Sequence, residues 1–304
     1  MDVIQQVVCP VIIGREREVT LLEDALLAAN RGEGQIVVLA GEAGLGKTRL
    51  AGELGRRADK LGMAVLTGAC SEAELSLPYL PFLEAIGNHL ATTDLEHVRE
   101  ALGPVRRELA HLFPQLEPDQ SLTDSGDSTQ AKLRLFEGVL ALLRVAADAH
   151  GLLLVVEDLH WADASTRELL DYMSRRLRGT RIMLLGTYRS DELHRKHPLL
   201  PTVQGWRRAG TAYVIDLEPL SPIGVADMVL AIFDQPIRTE FRDFLHARSE
   251  GNPFVLEELL KAALDRGDIF RTPERWERKE LSEMKLPRTV QDTILLRVER
   301  LSDA

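Results

Sequence analysis

Residues 41–48 read Gly41-Glu42-Ala43-Gly44-Leu45-Gly46-Lys47-Thr48 and fit the spacing G-x-x-x-x-G-K-[ST]. Before them, Gln35-Ile36-Val37-Val38-Leu39-Ala40 is a short β-branched apolar run, and helical spacing (Leu50, Leu54, Ala58) begins at about Gly46. The stretch therefore joins a strand to a helix. Glycines let the backbone curl until several N–H groups face one anion, and the following helix adds its unpaired N–H groups and positive dipole end. A nucleoside triphosphate is the expected ligand, with Lys47 reaching the β- and γ-phosphates and the Thr48 hydroxyl ligating Mg²⁺. Gly41, Glu42, Ala43, Gly44, Leu45, Gly46, Lys47 and Thr48, with Arg49 beside them, are the candidate nucleotide-binding group. A Gly-rich turn before an ordinary helix is the plainer alternative, and the flanking strand and helix argue against it.

Working outward, strands and helices alternate. Upstream, Val19, Leu22, Leu26 and Ala29 mark a helix that Gly32 closes. Downstream, strands are expected at 63–68, 152–156, 182–187 and 213–217, and helices at 78–89, 130–149, 165–177 and 198–208, with a further helical stretch ending near Phe113. The run 114–129 is rich in Pro, Asp, Ser, Thr and Gly and reads as a loop. The third strand, Leu152 to Val156, is continuously apolar, as in a parallel strand covered on both faces. The fold class is thus α/β: a P-loop NTPase with a five-stranded parallel sheet covered by helices. After Leu220 the pattern becomes helical, at 222–233, 239–247 and 253–265, with Pro253 at a first helical position. The expected domains are 1–217 (nucleotide-binding α/β), 218–270 (a small all-helical lid) and 271–304. The last comprises a charged linker at 271–285 and an amphipathic helix at 287–301. A lone helix cannot bury its own apolar face, so a truncated further domain is expected there.

Composition narrows the function. Of 304 residues 45% are hydrophobic, ample for a core, and only Cys9 and Cys70 are present, which suggests no disulfide framework. The N-terminus carries Asp2 rather than a basic region, and the most apolar long stretch is broken by Arg144, Asp148 and His150. A cytoplasmic protein with no membrane partner is the expectation. The formal net charge of −10 argues against direct nucleic-acid binding through phosphates. The cluster Arg175, Arg176, Arg178 and Arg181 reads as a solvated helix end.

A phosphate loop needs an acidic group for Mg²⁺ and another to orient water. Glu157 and Asp158, at the end of the third strand, stand where open α/β sheets bind ligands. Glu157 is assigned to the Mg²⁺ shell and Asp158 to polarising water, the two roles being exchangeable on sequence alone. Arg189, ending the fourth strand, suits γ-phosphate sensing, since its guanidinium is planar and permanently charged. Neither N-K-x-D, which reads guanine, nor the L-S-G-G-Q of transporter ATPases occurs, so adenine is favoured by elimination.

The set Ile13-Gly14-Arg15-Glu16, Gly41 to Thr48, Leu153 to Asp163, Gly186-Thr187-Tyr188-Arg189 and Gly251-Asn252-Pro253-Phe254 resembles the STAND-class ATPases, the AAA+-related signalling branch of the P-loop fold. It is most similar to the ATPase region of bacterial LuxR-type, MalT-like transcriptional regulators. The resemblance implies that the Arg189 strand lies between the strands bearing the phosphate loop and the acidic pair. It also implies that Gly14 and Arg15 line the adenine side and that Pro253 closes over the base. The 287–301 helix would open a winged-helix domain. ATP/ADP and Mg²⁺ are the implied cofactors, and nucleotide is held between the α/β and helical domains. An inducer or partner protein acting through further domains and a nucleotide-dependent homo-oligomer are the implied partners.

No arginine finger is evident; Arg207 and Arg208 stand at a plausible place, where a solvated helix end is the plainer reading. Slow hydrolysis follows, since such a residue contributes about 10³–10⁵ in rate. The leading expectation is therefore an ATP-binding signalling switch. Its rivals are an efficient ATPase of the origin-recognition, DNA-loading type and a small-molecule kinase.

Overall fold

The computed structural model describes residues 7–75, 77–117, 128–148 and 150–284. The chain divides into two compact units: residues 18–41 with 50–216, and residues 1–17 with 42–49 and 217–304. The expected helix at 287–301, the winged-helix start it would form, and the core of the 114–129 loop lie outside the described residues.

The first unit is the α/β layer. Helix α1 (Glu16–Asn30) runs into β1 (Gln35–Gly41), and α2 (Lys47–Lys60) into β2 (Ala64–Ala69). There follow α3 (Leu80–Thr92), α4 (Leu95–Leu102), α5 (Arg106–Leu109), α6 (Ser128–Ala147), β3 (Leu152–Glu157), α7 (Ala164–Ser174), β4 (Ile182–Arg189), α8 (Leu200–Ala209) and β5 (Ala212–Asp216). The five strands form one parallel sheet in the order β2-β3-β4-β1-β5. This is the expected fold, and β4 does lie between β1 and β3. Residues Leu152 to Val156 are buried throughout, as their continuous apolar run required. Leu152, Leu154 and Val156 pack in a core with Phe82, Ile86, Leu143, Leu169 and Trp206.

The stretch 95–113 departs from the single helical run expected to end near Phe113. Gly103, at φ +56°, stops α4, and Pro104 opens a 3₁₀ turn before the one-turn α5. Glycine here accepts a positive φ that a side chain would resist, and the proline lacks the N–H that would continue the α-helix.

The second unit contains α9 (Pro222–Phe233), α10 (Thr239–Ser249) and α11 (Pro253–Asp265). Their core joins Val225, Phe241, Leu245, Leu256 and Leu260 to Val7 and Cys9 from the N-terminal segment. Two strands unforeseen in the sequence follow: β6 (Ile269–Arg271) and β7 (Trp276–Arg278), an antiparallel hairpin that starts at the end of the stretch expected to be all-helical and runs into the segment read as a charged linker. At three residues each, carrying Arg271, Glu277 and Arg278, they show no readable alternation. Tertiary contacts hold them instead. The Gln235 side chain pairs with the Trp276 backbone in both directions (Nε2 to O 2.9 Å, N to Oε1 2.8 Å), and Phe233 packs edge-on to Trp276. Among the described residues no helix is long and apolar enough to cross a membrane.

Candidate nucleotide site

The phosphate loop leaves the buried end of β1, and Lys47 opens α2. Lys47 is buried, and its Nζ donates to the Glu42 carbonyl at 2.8 Å, so the loop is curled around its own lysine. Thr48, the second helical residue, is exposed, as are Glu42 and Ala43. Gly44 adopts φ +83°, and a Cβ on it would meet Asn252 Oδ1 at 2.6 Å and Phe254 Cβ at 2.9 Å. Glycine is thus required there twice, by backbone conformation and by close approach.

That approach reflects a connection the sequence reading missed. Asn252 caps α11: its Oδ1 accepts from the N–H groups of Phe254 (3.1 Å) and Val255 (3.3 Å). Its Nδ2 simultaneously donates to the Ala43 carbonyl at 2.8 Å, and the Phe254 N–H reaches the Gly44 carbonyl at 3.4 Å. Pro253 sits between them at the first helical position, half-buried. The signal was present as an Asn immediately before a helix-opening Pro. Its second partner is far away in sequence.

Arg15 is buried and donates to the carbonyls of Glu218 (2.6 Å) and Leu45 (3.4 Å). Gly14, at φ +64°, packs beside Leu220, whose N–H bonds the Gly251 carbonyl at 2.7 Å. The structure thereby brings Gly14, Arg15, the phosphate loop and the 251–254 turn together in one unit. Arg49 lies within the same cluster but faces the N-terminal segment. It donates to the carbonyls of Cys9 and Val11, and Glu257 stands 3.8 Å away and accepts from the Cys9 N–H.

The acidic pair belongs to the α/β unit. Glu157 ends β3, and its Oε1 is buried with no hydrogen-bond partner among the described residues. An orphaned carboxylate oxygen fits a hard cation such as Mg²⁺, which takes oxygen ligands. Asp158 follows in the left-handed region (φ +55°), which aspartate tolerates better than most residues, and the buried Thr187 hydroxyl accepts its N–H at 3.1 Å. The last acid of the motif, Asp163, has a structural task. It caps α7 by accepting from Ser165 (2.7 Å) and Thr166 (3.1 Å).

Arg189 closes β4 directly opposite Gly41 in the sheet register. Its Nη1 is held 2.8 Å from Glu192 Oε1, and its N–H lies 3.4 Å from Nδ1 of the buried His160. Arg207, the candidate finger, is bound by Asp216 at 2.8 Å. The arginine cluster is also locally engaged: Arg175 pairs with Asp171 at 2.6 Å and Arg176 stacks on Tyr172. Cys70 donates its N–H to the Glu157 carbonyl. Burial, reinforced by the carboxylates of Asp163, Asp158 and Glu84, pushes its thiol up to about 12.

Comparison with known proteins gives the family. The sequence model of the AAA ATPase domain matches residues 11–185, more than half of the chain. An uncharacterized protein of Rhizobium meliloti (strain 1021) is 23% identical over 194 residues, covering 59% of this chain and 18% of its own length. The Drosophila ORC bound to DNA superposes with TM-score 0.50 and 12% identity, covering 98% of this chain and 65% of that one. Thermotoga maritima RuvB gives 0.44 and 18%, covering 83% and 62%. The chain therefore spans less than two thirds of each of these proteins, and the ORC likeness is one of fold.

Proposed function

The chain belongs to the AAA ATPase domain family, and from that premise we propose that it is an ATP-binding signalling switch, the slow ATPase module of a cytoplasmic LuxR-type, MalT-like transcriptional regulator. In this reading Lys47 leaves the Glu42 carbonyl for the β- and γ-phosphates, and the loop N–H groups of residues 43–48 cradle the anion. Gly14 and Arg15 border the adenine, and Pro253 closes over it. Thr48 and Glu157 would hold Mg²⁺, which when bound offsets charge on the phosphates. Asp158 accepts a hydrogen bond from the attacking water, Arg189 contacts the γ-phosphate, and the bond from the γ-phosphorus to its bridging oxygen breaks to give ADP and phosphate.

The observation that carries the switch reading is the double attachment of Asn252. A loop that must rearrange around phosphate shares a side chain with the cap of α11, so its occupancy and the position of that helix are mechanically linked. The pairing of Arg207 with Asp216 supports slow turnover, because the best-placed candidate finger already has a counter-ion. An inducer or partner protein acting through further domains, and a homo-oligomer in the ATP state, complete the proposal.

Denaturing freshly purified protein and identifying the released nucleotide by chromatography tests it. Stoichiometric ADP is the expected result. Nucleotide-free protein with rapid turnover of added ATP would overturn the switch in favour of an efficient ATPase of the origin-recognition type.

A further inference from the structure

We propose that Glu192 sets the preference of this site for ATP over ADP by competing with the γ-phosphate for Arg189, an inference that rests on the γ-phosphate role given to Arg189 above. The two side chains meet within the turn that follows β4. Glu192 Oε1 accepts from Arg189 Nη1 at 2.8 Å, while Glu192 Oε2 lies 3.5 Å from Nε2 of His160. The imidazole is fully buried, and its other nitrogen, Nδ1, takes the Arg189 N–H at 3.4 Å and stands 3.9 Å from Asp158 Oδ1. One carboxylate therefore touches the sensing guanidinium directly and, through a buried ring, the neighbourhood of the water-polarising acid.

The partners differ in freedom. The turn carrying Glu192 is fixed by the Ser190 N–H on the Gly41 carbonyl (3.3 Å) and the His194 N–H on the Glu192 carbonyl (3.0 Å). Its side chain is 27% exposed, against 42% for Arg189. The guanidinium is thus the more exposed member, and the carboxylate also faces the His160 ring. ADP lacks the group that draws Arg189 away, so the pair persists in the ADP state. ATP must break it, exchanging a half-exposed ion pair for a stronger charge-assisted contact with phosphate. Glu192 accordingly tunes the preference and does not block ATP.

The test is calorimetric titration of the full chain, freed beforehand of any co-purified nucleotide, with ADP and with a non-hydrolysable ATP analogue, in wild type, Glu192→Gln, Arg189→Ala and the double variant. Glu192→Gln keeps the shape and removes the charge. It should raise the ATP-to-ADP affinity ratio by about two- to fivefold, the range set by a half-exposed pair, with ADP affinity unchanged. In the Arg189→Ala background the same substitution should move nothing. An unmoved ratio in Glu192→Gln, or an equal shift with and without Arg189, would overturn the role of Glu192 while leaving nucleotide binding intact. Wild-type protein that binds neither nucleotide would overturn the underlying reading along with it.

Discussion

The side-chain amide of Asn252 bridges two structures that lie 209 residues apart in sequence: it donates to the Ala43 carbonyl of the phosphate loop and accepts from the first N–H groups of α11. The two halves of the amide carry separable tasks, one stabilising the helix and the other tethering the loop.

Two substitutions should separate them. Asn252→Ala removes both and should cost about 1 kcal/mol for the lost cap alone. Asn252→Asp keeps a capping oxygen but sets an acceptor against the Ala43 carbonyl, so it should stay folded and still loosen the loop. Both variants should release a fluorescent ADP faster than wild type in stopped-flow measurements. A folded Asn252→Asp protein with the wild-type rate would remove the tether from the mechanism.

Lys47→Ala deletes a charge-assisted contact to phosphate worth about 1.5–3 kcal/mol, so ATP affinity should fall by about ten- to a hundredfold. Equilibrium titration checks this, and unchanged affinity would count heavily against the loop as the phosphate site.

Glu157→Gln should act on metal and on stability in opposite senses. The gain in ATP affinity on adding Mg²⁺ should shrink by about tenfold, as a charged ligand is lost. The nucleotide-free protein should melt no lower than wild type, because a buried carboxylate oxygen without a partner is itself a cost. A full Mg²⁺ effect in this variant would move the metal role to Asp158.

Cys70 gives a pH signature. Burial raises its folded pKa from the ordinary 9.0 to about 12, so the unfolded chain releases the proton first. The stabilising contribution is complete below pH 9 and is lost as pH rises from there to about 12. Cys70→Ala should flatten the decline of unfolding free energy over that window. In wild type, iodoacetamide at pH 8 should leave Cys70 unmodified until denaturant is added, as peptide mass mapping would show.

The legible parts of the molecule were those with local causes. The run Leu152 to Val156 had to be a covered parallel strand because every residue in it is apolar, and it is buried throughout. Pro253 read as a helix start because its missing N–H is harmless only there. The hairpin Ile269–Arg271 with Trp276–Arg278 was illegible, since its charged side chains hide the alternation and its support comes from Phe233 at the end of α9 and Gln235 just after it.

The same division runs through the candidate site. The sequence by itself determined the phosphate loop between a strand and a helix, the acidic pair ending an apolar strand, and Arg189 at the end of the next. Each follows from residue type and short-range spacing, which the chain encodes directly. Only the tertiary structure decided that Arg49 faces the Cys9 and Val11 carbonyls, that Glu192 holds Arg189, and that Asn252 grips Ala43. Arg49 has several carbonyls and carboxylates within the length of its side chain, and Asn252 reaches a loop more than 200 residues away. Packing chooses among such partners, because hydrogen-bonding strength depends on where folded backbone places the groups and not on their order along the chain.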